Sequence, residues 1–198
     1  HQIPFSQVPR GELDKITGGL VQQGVALQLP AFEYAEVDDV LDAAASGGIV
    51  VALDSVTDPR NLGAIIRSAA AFGATGIILP KRRSASMTAT AWKASAGAAA
   101  RLPVAVGGNI NRMLERACGI GFTIIGLAGE AELPISSAST DGPVVLVVGS
   151  EGEGLSRLVR EHCDALVTIP ISGTVESLNA SVAAAIALYE IGQQRGLA

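Results

Sequence analysis

The sequence predicts an α/β protein built on a largely parallel sheet. Four short runs are almost wholly apolar, helical periodicity fills the spaces between them, and polar loops directly follow the first and the last of the runs. The runs are Ile49-Val50-Val51-Ala52-Leu53, Ile77-Ile78-Leu79, Phe122 to Leu127, and Val144-Val145-Leu146-Val147-Val148. Unbroken apolar stretches of this length suit strands buried on both faces, as in parallel sheets. Strands alternating with helices define the α/β class.

Taken in order, residues 1–30 differ from the rest. Leu13-Asp14-Lys15-Ile16 reads as the close of a short helix before Gly18-Gly19. Val25 to Leu29 reads as a strand ended by Pro30. These 30 residues are expected to be the tail of a smaller domain whose beginning is absent. Residues 31–46 read as a linker with an acidic helical stretch, Glu36 to Ala45. The main domain is placed at 47–198. Asn61 to Phe72 puts Leu62, Ile65, Ile66 and Ala69 on one helical face, with Gly73 as a stop. Asn109 to Cys118 has Ile110, Met113, Leu114 and Ala117 in the same 3–4 spacing. Leu155 to Cys163 and Val175 to Ile191 are the remaining expected helices.

Composition excludes several classes. With 48% hydrophobic residues in 198, the chain has ample material for a core, which excludes disorder. No apolar run reaches the roughly 18 residues of a membrane span. The N-terminus lacks the basic and apolar regions of a secretory signal, and it lacks Met. Two cysteines, Cys118 and Cys163, make neither a disulfide framework nor a C-x-x-C zinc motif, so no metal is expected. The overall reading is a cytoplasmic protein. Net charge is −5, yet residues 81–116 hold seven basic side chains against one acid, Glu115. Such a cluster is either a solvated surface scattered in three dimensions or a phosphate-binding face.

Three polar segments each follow a predicted strand. The first is Asp58-Pro59-Arg60-Asn61-Leu62-Gly63, continuing to Arg67. Asp58 before Pro59 is a helix-start signal, Asn61 is able to cap or bind, and Arg67 is either an ion-pair partner or a phosphate ligand. The second is Gly149-Ser150-Glu151-Gly152-Glu153-Gly154. Its G-x-x-G-x-G spacing is neither the dinucleotide fingerprint nor a Walker loop. Glu151 and Glu153 would repel a pyrophosphate, so a cationic or zwitterionic ligand suits it better. The third runs from Ile169-Pro170 through Gly173 to Ser177-Leu178-Asn179. Ser177 and Asn179 are expected in the first turn of an Ala-rich helix, as caps or as ligand contacts.

Together, D-P-x-N-x-G-x-x-x-R, G-S-E-G-x-G and I-P-x-x-G-x-x-x-S-L-N resemble the SpoU/TrmH family of SPOUT-class RNA ribose 2′-O-methyltransferases, over residues 49–192. The resemblance implies a parallel sheet flanked by helices and a C-terminal trefoil knot. It implies a homodimer with the active site near the interface, and S-adenosylmethionine as cofactor. Carried over by position, Gly149, Ile169 and Leu178 would contact the cofactor. Asn61, Arg67, Glu151, Ser177 and Asn179 match the polar active-site positions, with Glu151 orienting Asn61 or Arg67. The family's proposed base is the first-motif arginine. A neutral guanidine is costly in water, so Arg67 is read instead as a ligand of phosphate and hydroxyl. Residues 1–30, with Leu13-Asp14-Lys15 and Gln23-Gly24-Val25, resemble the end of a ribosomal-protein-like RNA-binding domain; Gln22 stands where a His is common.

Lys81-Arg82-Arg83-Ser84-Ala85 and Trp92 to Ala98 resemble the branch that methylates a guanosine of 23S ribosomal RNA, with a transfer-RNA guanosine as the alternative substrate. Two rival readings are a nucleotide-binding oxidoreductase and a non-catalytic ribosome-assembly protein. The first needs G-x-G-x-x-G after its first strand, where this chain has Leu53 to Gly63 without it. The second would be expected to lose Asn61, Arg67, Ser177 or Asn179.

Overall fold

The structure, a computed structural model, describes residues 4–19, 21–173 and 175–196. His1 and Thr174 therefore lie outside the described residues. The chain divides into two units, His1–Glu33 and Tyr34–Ala198.

The first unit has one helix, α1 (Arg10–Ile16), closed by backbone bonds into Gly18 and Gly19. The strand expected over 25–29 does not form. A strand needs a partner for its backbone groups, and none of the described residues supplies one. Phe5, Val21, Val25 and Leu27 are all exposed, so this unit has no apolar core among the described residues.

The second unit opens with α2 (Val37–Ala44), whose Val40, Leu41 and Ala44 are buried. The acidic stretch is thus a packed helix with its carboxylates outward. Seven strands form one parallel sheet. They are β1 (Ile49–Leu53), β2 (Gly76–Pro80), β3 (Val104–Gly107), β4 (Thr123–Leu127), β5 (Leu133–Pro134), β6 (Val144–Val148) and β7 (Ala165–Thr168). Their order across the sheet is β3-β2-β1-β6-β4-β7-β5. In β1, β2 and β6 every residue is buried, as unbroken apolar runs require.

Alternation along the strands serves two helical layers. Val50, Ala52, Ile78, Ile124, Val145 and Val147 pack with α2, α5 (Ile110–Gly119) and α6 (Arg157–Glu161). On the opposite side α3 (Pro59–Ala71) packs against α4 (Ala89–Ala94) and α7 (Ala180–Gln194). Gly63 lets α3 pack close against α4: a Cβ there would lie 2.4 Å from the Ala91 carbonyl oxygen and 2.5 Å from the Ala94 Cβ.

Helix boundaries follow their caps. Asp58 accepts from the Arg60 N–H at 2.8 Å, with Pro59 at the first helical position, so α3 starts where the sequence signals. The helix expected over 155–163 shrinks to α6, behind its N-cap Ser156. The helix expected from Val175 begins only at Ala180, because Asn179 is its cap and not a first-turn residue. The strand expected before Ile169 is β7, whereas strands β3 and β5 and helix α4 were not foreseen.

The far end of α7 is tied down by Arg195. Its guanidinium donates to the carbonyls of Thr140 (2.9 and 2.6 Å), Gly47 (2.7 Å) and Gly142 (2.7 Å). Burial lowers its pKa from the usual arginine value. Charge-assisted bonds contribute about 1.5–3 kcal/mol each when desolvated and less when partly hydrated. Arg195→Met is expected to cost about 2 kcal/mol of unfolding free energy, read as a lower urea midpoint with unchanged slope.

Candidate active site

Parallel strands deliver their following loops to one edge of the sheet. The three polar segments follow β1, β6 and β7. β1 and β6 are neighbours in register from Ile49–Val144 to Leu53–Val148, so the first two loops leave the sheet side by side. The chain runs from β1 outward through β2 to β3, and its later strands fill the other side. The border between β1 and β6 is therefore a switch point, the usual ligand position in an open α/β sheet.

The second loop is folded tightly on itself. Ser150 and Gly154 exchange backbone hydrogen bonds, each 3.1 Å. A Cβ on Gly149 would lie 2.2 Å from the Gly154 carbonyl carbon and 2.3 Å from its oxygen. Only glycine fits there.

A cleft of about 490 Å³ opens beside this loop. That volume lies within the range of small-molecule and cofactor sites, roughly 300–1,000 Å³. Gly149, Glu151, Ile169, Ser177 and Leu178 all line it. Its rim holds the ion pair of Arg160 and Glu130. A backbone hydrogen bond, with help from Arg160 and against the effect of burial, holds the Glu130 carboxyl below the usual range. Glu130, Glu151, Glu153 and Glu176 around the cleft favour a ligand carrying positive charge.

Side chains from all three loops meet at this edge. Asn61, only 8% exposed, donates from Nδ2 to Glu151 Oε1 at 2.8 Å. Asn179 donates from Nδ2 to Asn61 Oδ1 at 3.0 Å and also to Glu151 Oε1. Its own Oδ1 accepts from the N–H groups of Ser181 (2.9 Å) and Val182 (3.3 Å) and from the Ser181 hydroxyl (2.6 Å). Asn179 thus caps α7 with its oxygen and joins the polar set with its nitrogen. Ser177 is exposed in the loop before the cap.

Arg67 stands apart. Six residues beyond Asn61, it lies about 9 Å further along the helix axis. Its side chain is exposed and does not line the cleft. Glu151 orients the two asparagines, and no hydrogen bond or ion pair joins it to Arg67 among the described residues. His162 lies outside the site, 3.6 Å from Glu115.

One residue of the arrangement was missed. Asp54 is 4% exposed and accepts from the Ser156 N–H at 2.7 Å and from the Ser55 hydroxyl at 3.2 Å. It ties the start of the first loop to the end of the second. A carboxylate directly after a wholly apolar strand was the available signal. Behind the loop, burial pushes the Cys163 thiol up to about 11, with Asp164 adding to the effect. Among the described residues no group of three or more His, Cys, Asp or Glu is placed to hold a metal ion, and no helix is long and apolar enough to cross a membrane.

Comparison with known proteins agrees with this architecture. A curated relative from Mycobacterium sp. (strain KMS), named an uncharacterized tRNA/rRNA methyltransferase, is 53% identical over 196 residues. The match covers 98% of this chain and 62% of the relative, so the chain spans less than two thirds of that protein. The crystal structure of the SpoU methyltransferase AviRb from Streptomyces viridochromogenes, in complex with AdoMet, superposes with a TM-score of 0.75 at 30% identity. It covers 86% of this chain and 68% of AviRb. An AdoMet-bound rRNA methyltransferase from Sinorhizobium meliloti gives a TM-score of 0.75 at 30% identity, over 82% of this chain and 61% of that one. The model of the SpoU rRNA methylase family matches residues 48–189, which takes in the whole sheet and all three polar loops; the chain belongs to that family.

Proposed function

We propose that this chain is an S-adenosylmethionine-dependent RNA methyltransferase that modifies a ribose 2′-hydroxyl, most specifically of a guanosine in 23S ribosomal RNA. The observation that carries the reading is the bonded set Asn61–Glu151–Asn179, one residue from each motif, at the edge of the glycine-loop cleft. Support also comes from the family and from two neighbouring structures that hold AdoMet. The cleft suits this cofactor, because its acids match a sulfonium and an ammonium while its glycine loop offers bare backbone.

When bound, the cofactor supplies an activated methyl group. The protein's own part is orientation and proton management. Gly149, Ile169 and Leu178 hold the cofactor along the cleft wall. Glu151 fixes both asparagine amides, and Asn61 and Asn179 in turn fix the ribose and the methionine end. Ser177 contributes a hydroxyl at the cleft mouth. Arg67 acts on the RNA side, pairing with phosphate and favouring ionisation of the attacking hydroxyl. In this reading the C-terminal segment threads a loop of the chain, the trefoil knot that the family resemblance implies. Residues 1–30 are the end of an RNA-binding domain.

Titration calorimetry with S-adenosylmethionine, followed by transfer of labelled methyl to unmodified 23S and transfer-RNA transcripts, tests the proposal. The modified nucleotide should resist alkaline cleavage on its 3′ side. Absence of cofactor binding would end the reading, and methyl transfer to tRNA alone would move the substrate to the alternative.

A homodimer belongs to the same proposal. Val182, Ile186 and Tyr189 follow one face of α7 and are 46%, 38% and 50% exposed. Apolar side chains in such a stripe suit a partner helix. Light scattering at micromolar concentration should give twice the 20.1 kDa chain mass. Ile186→Glu should give the single mass, because the interface would then bury an unpaired charge.

A further inference from the structure

Between Asp58 and Glu115 the chain carries eight basic residues and no acidic one. Folding gives this bias a place. Residues 59–107 build α3, β2, α4 and β3, the part of the sheet on one side of β1. The part on the other side, from β6 onward, carries the acids around the cleft. The Asn61–Glu151 hydrogen bond crosses the seam between the two. The polar set therefore sits where a basic half meets an acidic half.

The basic side chains are not equally available. Arg112 and Arg116 ride on α5, in the layer shared with acidic α2, and Arg116 is paired with Asp38 at 3.0 Å. The run 81–116 is thus not one surface. Lys81, Arg82 and Arg83 are different. They follow β2 directly, and β2 runs parallel to β1, so their loop leaves the sheet at the same edge as the first polar loop. The Ala85 N–H donates to the Val56 carbonyl at 2.8 Å, fastening the two loops together. All three side chains are exposed, and none makes an ion pair or side-chain hydrogen bond with any described residue. Arg83 holds φ +56°, a conformation rare for a residue with a Cβ. Arg60 is exposed next to Asn61 on the neighbouring loop.

We propose that Lys81, Arg82 and Arg83, with Arg60, form the surface that grips the RNA phosphates flanking the target nucleotide. This rests on the RNA reading above and adds an orientation to it. The acidic half repels the phosphate backbone, so the RNA lies over the β1–β3 half, and only the target ribose reaches the seam. Cations without protein partners bind phosphate at no cost in broken ion pairs, and each contact releases condensed counterions.

The test combines Lys81→Gln, Arg82→Gln and Arg83→Asn in the full chain, with Arg82→Lys as the charge-keeping control. Binding to an unmodified 23S ribosomal RNA transcript is measured by filter retention between about 0.05 and 0.2 M salt. The slope of log affinity against log salt should flatten by about 2, from three contacts at about 0.7–0.9 each. The KM for the transcript should rise at least about tenfold with kcat and S-adenosylmethionine affinity unchanged, and Arg82→Lys should keep the wild-type slope. An unchanged slope, a fall in kcat at constant KM, or a change in oligomeric mass would overturn the proposal; the last would make the loop a contact between copies. The salt slope is read without cofactor. A wild-type protein that binds the transcript but not S-adenosylmethionine would therefore count against the methyltransferase reading and leave this surface standing.

Discussion

Gly149→Ala should weaken S-adenosylmethionine binding at least about 100-fold, the equivalent of about 2.8 kcal/mol. The cause is steric and local. An added Cβ would sit 2.2–2.6 Å from backbone atoms of Gly154 and Leu155, and no flexible side chain is there to yield. The loop must open, and the Ser150–Gly154 bridge opens with it. Overpacking of this kind typically costs about 1–3 kcal/mol. The larger Gly149→Val change would therefore disturb the loop itself and not merely occlude a ligand. Gly152→Ala is the matched control, since a Cβ there meets nothing within 4 Å. It should bind cofactor within about threefold of wild type, under 0.7 kcal/mol. Calorimetry on both variants, with thermal unfolding alongside, decides the matter. Wild-type affinity in Gly149→Ala would remove the glycine loop from the cofactor site.

The sheet was legible because fully buried parallel strands leave unbroken apolar runs, as in Ile49–Leu53 and Val144–Val148. The short strand Val104–Gly107 was not: at four residues it is too brief to separate from loop, and it is set by pairing with β2. Helix starts were legible where the cap stands before a proline, as at Asp58. They were misplaced where the polar residue before the helix has two roles. Asn179 caps α7 and bonds Asn61, and a periodicity argument cannot tell a capping residue from a first-turn one.

The candidate site divides in the same way. Its residue types could be quoted from three motifs, but the partner of each could not. Glu151 reaches Asn61 across 90 residues, and Asn179 reaches Asn61 across 118. Gly63 shows the opposite case, a motif position whose role is the packing of α3 on α4. The basic run 81–116 divides because α5 belongs to the other layer, a fact of topology invisible in a charge count.

Arg67 carries the second large effect. Arg67→Ala should lower methyl transfer at least about 100-fold, about 2.7 kcal/mol of transition-state stabilisation, and should also weaken RNA binding. Arg67→Lys should lose a comparable factor in transfer with less loss in RNA binding, because the charge stays while the planar fork goes. Cofactor affinity should hold in both, since Arg67 does not line the cleft. The geometry separates this from a structural role unusually well. The side chain is exposed and makes no hydrogen bond or ion pair with any described residue, so its removal should leave the melting temperature within the small range of ordinary surface changes. A structural arginine would instead lower stability in both variants and keep activity per folded molecule. Rate against pH gives a second discrimination. If Arg67 only favours ionisation of the 2′-hydroxyl, single-turnover transfer keeps rising into alkaline pH; a dedicated base would level off at its own pKa. Arg67→Ala should lower that rising limb without creating a plateau. Methyl transfer at the wild-type rate by a normally folded Arg67→Ala protein would take Arg67 out of the mechanism and leave proton removal to solvent near the asparagine pair.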